Sequence, residues 1–246
     1  MDESIRHNLQ KINERIYRAC ERSRREPKDV RLLLATKTVP ADRIKPALEA
    51  GHTLIGENKV QEIRDKYEAL QSTPHETHFI GHLQTNKIKD ILKHNVTCIQ
   101  SIDRWDLAEK LHQRLALENK TMDILIQVNT SNEQSKFGIH PDHAVDLALQ
   151  VAQLNTLRIK GLMTIGLFSS VAVDVRACFQ KLNATRHRIN DAGIPGVDMR
   201  ELSMGMSGDL EIAIEEGATI VRVGTAIFGK RIYADSYYWP ETTPLP

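Results

Sequence analysis

The feature that most constrains this chain is a regular alternation of short apolar runs with longer amphipathic stretches. Eight runs are predicted to be buried strands, at residues 31–36, 53–56, 77–80, 97–101, 122–129, 157–163, 199–203 and 218–223. Because strands that alternate with helices form right-handed βαβ units, the pattern predicts an α/β protein with a parallel sheet. Eight such units within about 220 residues fit a closed (β/α)8 barrel, the TIM barrel.

The alternative to a barrel is a doubly wound open sheet, and the first turn between a strand and a helix bears on the choice. A doubly wound nucleotide-binding sheet commonly has a glycine-rich turn at that point. Here residues 35–43 read ATKTVPADR and contain no glycine, which favours the barrel.

Both ends of the chain extend beyond the repeating pattern. Apolar residues recur at helical spacing over residues 3–24, which predicts an extra N-terminal helix. Residues 232–246 contain three of the nine prolines and show no periodicity, so we expect a C-terminal tail there. The remainder, residues 1–231, is predicted to be a single domain.

Charge and composition exclude several function classes. The chain has 33 basic and 32 acidic side chains, a net charge of +1, whereas a general nucleic-acid binder carries a clear basic excess. No apolar run reaches the ~18 residues of a membrane helix, and the N-terminus lacks a signal-peptide pattern. The three cysteines lie far apart, which predicts free thiols and a cytoplasmic location. The cysteines and histidines have no spacing that indicates a metal site.

Lys37 is the first candidate for chemistry, because it directly follows the first strand. The active site of a parallel barrel lies at the carboxyl ends of its strands. Apolar walls at that position would favour the neutral amine, which attacks aldehydes to form a Schiff base. A solvated surface lysine is the alternative interpretation.

The segments after the last two strands are candidates for binding a phosphate, as they do in many barrels. The first contains Ser203, Ser207 and Asp209, and the second contains Gly224 and Thr225 at the start of a short helical stretch. Glycine lets the backbone approach a ligand closely, and N–H groups at a helix start attract anions. A side chain of the first segment could instead cap the helix that follows.

Arg222 lies inside the otherwise apolar eighth strand. Side chains alternate along a strand, so Arg222 points away from the face of Val221 and Val223. A buried arginine needs an acceptor, which is either a core carboxylate such as Glu201 or a ligand atom. Because arginine only donates, a ring nitrogen facing it would be unprotonated.

Together the lysine, the two segments and the arginine predict a site for a phosphorylated aldehyde. The residues alone leave two interpretations open. One is a class I aldolase that forms a Schiff base with a phosphosugar. The other is a protein that holds pyridoxal 5′-phosphate (PLP) as a Schiff base.

Several longer motifs extend this pattern: ATKTVP at 35–40, LIGENKVQE at 54–62, HFIGHLQTNK at 78–87, QVNTSNEQSKFGI at 127–139 and ELSMGMSGDLEIAIEEGATIVRVGTAIFG at 201–229. They resemble the pyridoxal phosphate homeostasis proteins, the YggS or proline synthase co-transcribed family. The resemblance runs from about residue 3 to residue 231. It implies the fold-type III PLP-binding barrel that is related to the N-terminal domain of alanine racemase.

The resemblance also implies roles for individual residues. Lys37 would carry PLP as a Schiff base, and Arg222 would face the pyridine nitrogen. Asn58 would lie beside the ring, while His82 and Met163 would face the cofactor from strand ends. The phosphate would be bound by four residues of the last two loops: Ser203, Ser207, Gly224 and Thr225.

The implied function is intracellular PLP (vitamin B6) and amino-acid homeostasis, as a carrier or regulator without robust catalytic turnover. An unprotonated ring nitrogen agrees with this, because it weakens the ring as an electron sink. A weak PLP-dependent amino-acid racemase is the first alternative, and the aldolase is the second. A racemase needs a further acid–base group, for which the only candidates are tyrosines of the tail: Tyr233, Tyr237 and Tyr238.

The expected partners are PLP and PLP-dependent apo-enzymes that receive it, with neither nucleic acid nor membrane. A monomer is expected, since the sequence shows no second domain of the kind that builds racemase dimers. Lys136 follows the fifth strand and is a candidate for a second, transient aldehyde site. A solvated loop lysine is the alternative.

Overall fold

The computed structural model describes residues 3–229, which form a closed barrel of eight parallel strands. The strands follow chain order around the barrel, and the eighth pairs with the first to close it. They are β1 (Arg31–Ala35), β2 (Leu54–Glu57), β3 (Glu76–Phe79), β4 (Val96–Ile102), β5 (Met122–Gln127), β6 (Leu157–Met163), β7 (Glu201–Ser203) and β8 (Ile220–Val223). The predicted (β/α)8 barrel is therefore confirmed, with a counterpart for every predicted strand.

Helices follow the strands and cover the outside of the barrel. Within the described residues they are α1 (Glu3–Arg22), α2 (Ala41–Glu49), α3 (Val60–Leu70), α4 (Ile88–Ile91), α5 (Trp105–Leu117), α6 (Ala144–Val151), α7 (Ala172–Asp191), α8 (Leu210–Glu215) and α9 (Thr225–Phe228). None of these is long and apolar enough to cross a membrane.

The extra N-terminal helix is present as α1, which ends at Arg22, two residues before the predicted end. Its buried face includes Ile5, Leu9 and Ile12, and it packs against α8, α9 and α2. The predicted tail at 232–246, with its tyrosines, lies outside the described residues.

The strands have an outer and an inner apolar face, as expected for a barrel wrapped in helices. Outward residues such as Leu34 and Val221 belong to the main core between strands and helices. Inward residues form two smaller clusters on different sides of the barrel: Leu33, Leu54 and Ile220 from β1, β2 and β8, and Cys98, Leu125 and Met163 from β4, β5 and β6.

Polar residues also point inward. Arg222 lies on the inner face of β8, while Val221 and Val223 lie in the outer core. This confirms the alternation predicted for that strand. Arg222 donates to Ser203 on the neighbouring strand β7 and to the carbonyl of Thr164, which follows β6. The barrel interior is therefore partly polar.

Candidate functional site

A cavity of about 300 Å³ opens at the carboxyl-terminal end of the barrel. The ends of β1 and β8 and the loops after β6 and β7 form its walls. Five of the nine predicted site residues line it: Lys37, Ser207, Arg222, Gly224 and Thr225. The structure thus brings together the predicted amine, the arginine and both predicted phosphate segments.

A buried ion pair between Lys66 and Glu57 fixes Thr36, the residue that precedes Lys37. The Lys66 ammonium donates to the carboxylate of Glu57 at 2.7 Å and to the backbone carbonyl of Thr36 at 2.8 Å. The Thr36 hydroxyl donates to the same carboxylate at 2.6 Å. Burial raises the pKa of Glu57 to about 7, although the positive charge of Lys66 acts in the opposite direction. The residue preceding Lys37 is therefore fixed by both its backbone and its side chain.

The residue after Lys37 is fixed as well. The backbone N–H of Thr38 donates to the carboxylate of Glu62 on α3 at 2.8 Å. Thr38 has a φ of +65°, an uncommon conformation for a β-branched residue. This turn directs the chain from β1 toward α2 and leaves Lys37 at the mouth of the barrel. Lys37 is accordingly held between two anchored neighbours.

The loop after β7 is held from outside by α1. The Arg15 guanidinium donates to the carbonyl of Ser207 at 2.9 Å and to both carboxylate oxygens of Glu211 at 2.6 and 2.8 Å. Within the loop, the Met206 N–H donates to the Asp209 carboxylate at 2.5 Å. Asp209 occupies the N-cap position of α8, but its side chain makes no capping bond there, so the alternative of a side-chain cap does not apply to Asp209.

Gly224 directly follows β8, at a point where the chain approaches β1 closely. A Cβ atom at this position would lie 2.7 Å from the carbonyl oxygen of Ala35, which is too close for any other residue. Thr225 then begins α9, whose first N–H groups have no partner within the helix. The Asn8 amide of α1 donates to the Ile227 carbonyl at 3.0 Å and holds α9 in place.

Arg222 is buried and pairs with neutral acceptors. Its Nη1 donates to the Ser203 hydroxyl at 2.9 Å, and its Nη2 donates to the Thr164 carbonyl at 2.7 Å. Burial lowers its pKa to about 10, which leaves the guanidinium charged at neutral pH. Glu201, the carboxylate considered as its core partner, instead accepts a hydrogen bond from the Thr219 hydroxyl.

Four predicted site residues lie elsewhere in the described barrel. The Ser203 hydroxyl donates to the Gln100 side chain at 2.6 Å, in addition to its bond with Arg222. Met163 is buried within one of the two interior clusters. These positions place both side chains inside the barrel rather than on the cavity wall.

The other two lie after β2 and β3. The His82 ring stacks on Phe137 with ring centroids 3.8 Å apart, and burial lowers its pKa. The Asn58 Oδ1 atom is buried and has no hydrogen-bond partner among the described residues. Lys136, the second candidate lysine, donates to Glu133 and to the Gly166 carbonyl, each at 2.8 Å.

Some residues that shape the site were not identified from the sequence. Gln100 contacts Ser203 inside the barrel, and Asn8 and Arg15 of α1 hold the two segments that were predicted to bind phosphate. For Gln100 a signal existed, since a glutamine within an apolar strand needs a buried partner. The spacing of the α1 residues gave no such signal, because polar residues of an amphipathic helix are expected to face solvent.

Comparisons with known proteins agree with this fold. The family model described as "Alanine racemase, N-terminal domain" matches residues 3–232. The chain is 44% identical over 225 residues to a pyridoxal phosphate homeostasis protein of Aquifex aeolicus, covering 92% of this chain and 97% of that one. The protein of the same name from Escherichia coli K12 is 40% identical over 240 residues, covering 94% and 98%.

Solved structures show the same similarity. PipY of Synechococcus elongatus with PLP bound superposes with a TM-score of 0.77 at 34% identity, over 89% of this chain and all of that one. An alanine racemase of Clostridium difficile in complex with cycloserine gives a TM-score of 0.74 at 12% identity, over 95% of this chain and 61% of that one, and shows the shared fold alone. On these findings, the chain belongs to the family of pyridoxal phosphate homeostasis proteins, whose barrel is that of the alanine racemase N-terminal domain.

Proposed function

We propose that this protein binds PLP through Lys37 and serves in PLP and amino-acid homeostasis as a carrier and regulator. The observation that carries the proposal is the joint placement of Lys37, Arg222 and Gly224 on the wall of one cavity. It supplies an amine, a buried donor and a close backbone approach to a single ligand. The names of the relatives, and the PLP bound to PipY, support the choice of cofactor.

The residues present fit this cofactor. Arg222 lines the cavity and carries five N–H donors. One N–H of Nη1 donates to the Ser203 hydroxyl, and one N–H of Nη2 donates to the Thr164 carbonyl. Its positive charge has no carboxylate within its hydrogen bonds, so an acceptor and an anion in the cavity would both be favourable. A pyridine nitrogen and a phosphate meet these two needs.

The residues of the site would each contact a different part of PLP. When bound, PLP supplies an aldehyde that condenses with an amine. Lys37 provides that amine at the end of β1. Ser207 and the first backbone N–H groups of α9, from Thr225 onward, would bind the phosphate. Arg222 would donate to the ring nitrogen and keep a proton off it, which disfavours carbanion chemistry on a bound amino acid.

We further propose that residues 1–231 act as a single domain, as a cytoplasmic monomer that passes PLP to PLP-dependent apo-enzymes. Cys20, Cys98 and Cys178 are free and buried, which is compatible with a reducing compartment. The cavity opens at one end of the barrel, so PLP could leave it without opening the fold.

Spectroscopy of the purified protein tests the proposal. We expect the visible absorption of protein-bound PLP, its loss after treatment with hydroxylamine, and its return when PLP is added. Lys37→Ala should abolish the band. Lys136→Ala, a control that removes another lysine near the barrel mouth, should retain it. A colourless wild-type protein that fails to bind added PLP would contradict the function, and retention of the band in Lys37→Ala would contradict the site.

A further inference from the structure

A chain of hydrogen bonds crosses the barrel interior and ends on Arg222. It links His78 of β3, Gln100 of β4, Ser203 of β7 and Arg222 of β8. The exposed fractions are 5%, 0%, 0% and 6%, so water contributes little to the bonds. Since β3 and β4 face β7 and β8 across the barrel, the chain passes between the two interior apolar clusters.

Donors and acceptors alternate consistently along this series of hydrogen bonds, starting from Arg222. Arginine only donates, so the Ser203 oxygen accepts from Nη1 at 2.9 Å. The Ser203 hydroxyl is then free to donate to the Gln100 Oε1 at 2.6 Å. This orientation leaves the Gln100 Nε2 as a donor to the His78 Nδ1 at 2.7 Å.

The proton position on His78 and the orientation of the Gln100 amide are linked. With Nδ1 accepting, the imidazole is neutral and carries its proton on Nε2, which lies 3.8 Å from the Glu76 carboxylate. If the amide were reversed, its oxygen would face Nδ1, and a hydrogen bond there would need the proton on Nδ1. Its NH₂ group would then face the Ser203 oxygen, and the Ser203 hydroxyl would lose Gln100 as its acceptor. In the arrangement present, all four side chains are hydrogen-bonded, and the Ser203 hydroxyl both accepts and donates.

The orientation of Arg222 depends on this series of hydrogen bonds because the arginine has no ion-pair partner within residues 3–229. Its two hydrogen bonds go to the Ser203 hydroxyl and the Thr164 carbonyl. Asp209 interacts with it only through space. Apolar surroundings strengthen hydrogen bonds, and they increase the cost of a broken one. The Ser203 bond fixes one arm of the guanidinium, and Gln100 in turn fixes the Ser203 hydroxyl.

We propose that Gln100, acting through Ser203, is a positioning residue that aims Arg222 at the ring nitrogen of the bound cofactor. The inference rests on the proposed function and specifies how the ring-nitrogen contact is made. It also gives Ser203 a role inside the barrel, in place of the phosphate contact that the family resemblance implies.

The test compares two ligands that differ only at the ring nitrogen. One is PLP, and the other is the analogue in which a C–H group replaces that nitrogen. Dissociation constants for both are measured with the wild type, Gln100→Leu, Ser203→Ala and the double variant. We expect each single variant to weaken PLP binding about tenfold, the effect of about one lost buried hydrogen bond. Binding of the analogue should change less than about twofold.

The double variant should bind PLP about as weakly as either single variant, because both changes act on the same contact. Gln127→Leu is the matched control. Gln127 is a buried glutamine on β5 that donates to the Phe137 carbonyl. It does not belong to the series of hydrogen bonds that ends on Arg222. It should leave the ratio of the two dissociation constants unchanged.

Equal weakening of both ligands would show a merely structural role and overturn the inference. Unchanged PLP binding in both single variants would also overturn it. Ser203→Ala, the smaller change, provides the test if Gln100→Leu does not fold. Failure of the wild type to bind PLP would overturn the proposed function and this inference together, whereas wild-type binding with no ligand-dependent effect would overturn the inference alone.

Discussion

The Arg15 guanidinium donates to the carbonyl of Ser207 at 2.9 Å, so the helix that precedes the barrel holds a loop of the cavity that Lys37 lines. The same helix contacts α9 through the bond from Asn8 to the Ile227 carbonyl at 3.0 Å. Helix α1 therefore connects both segments that are proposed to bind the phosphate. Its amphipathic sequence predicts packing on the barrel, and the structure adds a specific attachment to the site.

Arg15→Ala is expected to weaken PLP binding. The change removes one anchor of the Ser207 loop, and because the Arg15 side chain is 33% exposed, the expected loss is about 1 kcal/mol, or about fivefold in the dissociation constant. Titration of the cofactor-free protein with PLP measures this dissociation constant. Arg22→Ala is the control, since Arg22 pairs with Glu215 at 3.1 Å near the far end of α8. An equal effect of both variants would show that the loop anchor is not specific.

Gly224→Ala is expected to destabilise the barrel and to reduce PLP binding. The new methyl group would clash with the Ala35 carbonyl at 2.7 Å and push β8 away from β1. Overpacking of this kind costs about 2 kcal/mol, which denaturant unfolding can measure. A Cβ at Gly208 has no neighbour within 4 Å, so Gly208→Ala should change stability by less than about 0.5 kcal/mol. Similar stabilities of the two variants would contradict the close approach.

Glu57 predicts a pH dependence of stability. Its pKa rises from 4.5 to about 7 on burial, so the folded state binds more protons than the unfolded state between these values. The stabilising contribution of Glu57 is complete below pH 4.5 and is lost as the pH rises through 7. At 1.36 kcal/mol per pH unit, the loss is on the order of 3 kcal/mol.

Comparison with Glu57→Gln isolates this contribution, because glutamine does not titrate. The free energy of unfolding of the wild type, relative to that of the variant, should fall between pH 4.5 and pH 7 and then level off. Denaturant unfolding at several pH values gives both curves. Parallel curves over this range would mean that Glu57 does not change its proton affinity on folding.

Arg222→Glu is expected to raise the reactivity of bound PLP toward amino acids. A carboxylate facing the ring nitrogen would favour its protonated form, and the ring would then accept electrons more readily. Exchange of the α-proton of an added amino acid, followed by NMR in deuterated water, measures this. The wild type should not exceed a free-PLP control. Exchange by the wild type well above that control would favour the racemase alternative, and equal exchange by both proteins would contradict the contact with the ring nitrogen.

The fold was predictable because it follows from local patterns. Eight apolar runs and the helices between them determine the barrel, and the alternation of Val221, Arg222 and Val223 shows which side chain points inward. The rule that barrel sites lie at the carboxyl ends of strands then selects Lys37 and Gly224. Each of these inferences needs only neighbouring residues.

The remaining contacts depend on pairs that are far apart in the sequence. Gln100 and Ser203 are separated by 103 positions, and Asn8 and Ile227 by 219. A strand-end serine such as Ser203 can face the ligand or the barrel interior, and its partners decide which. Spacing along the sequence does not encode those partners. The sequence therefore could not identify the series of hydrogen bonds that supports Arg222.

The most direct test of the account is the identity of the residue that is covalently attached to PLP. Borohydride reduction of the PLP-loaded protein, followed by peptide mass spectrometry, locates the attached group. The account predicts one phosphopyridoxyl group on the peptide that contains Lys37 and none at that position in Lys37→Ala. A stoichiometric adduct on another lysine of the wild type, with an unmodified Lys37 peptide, would contradict it.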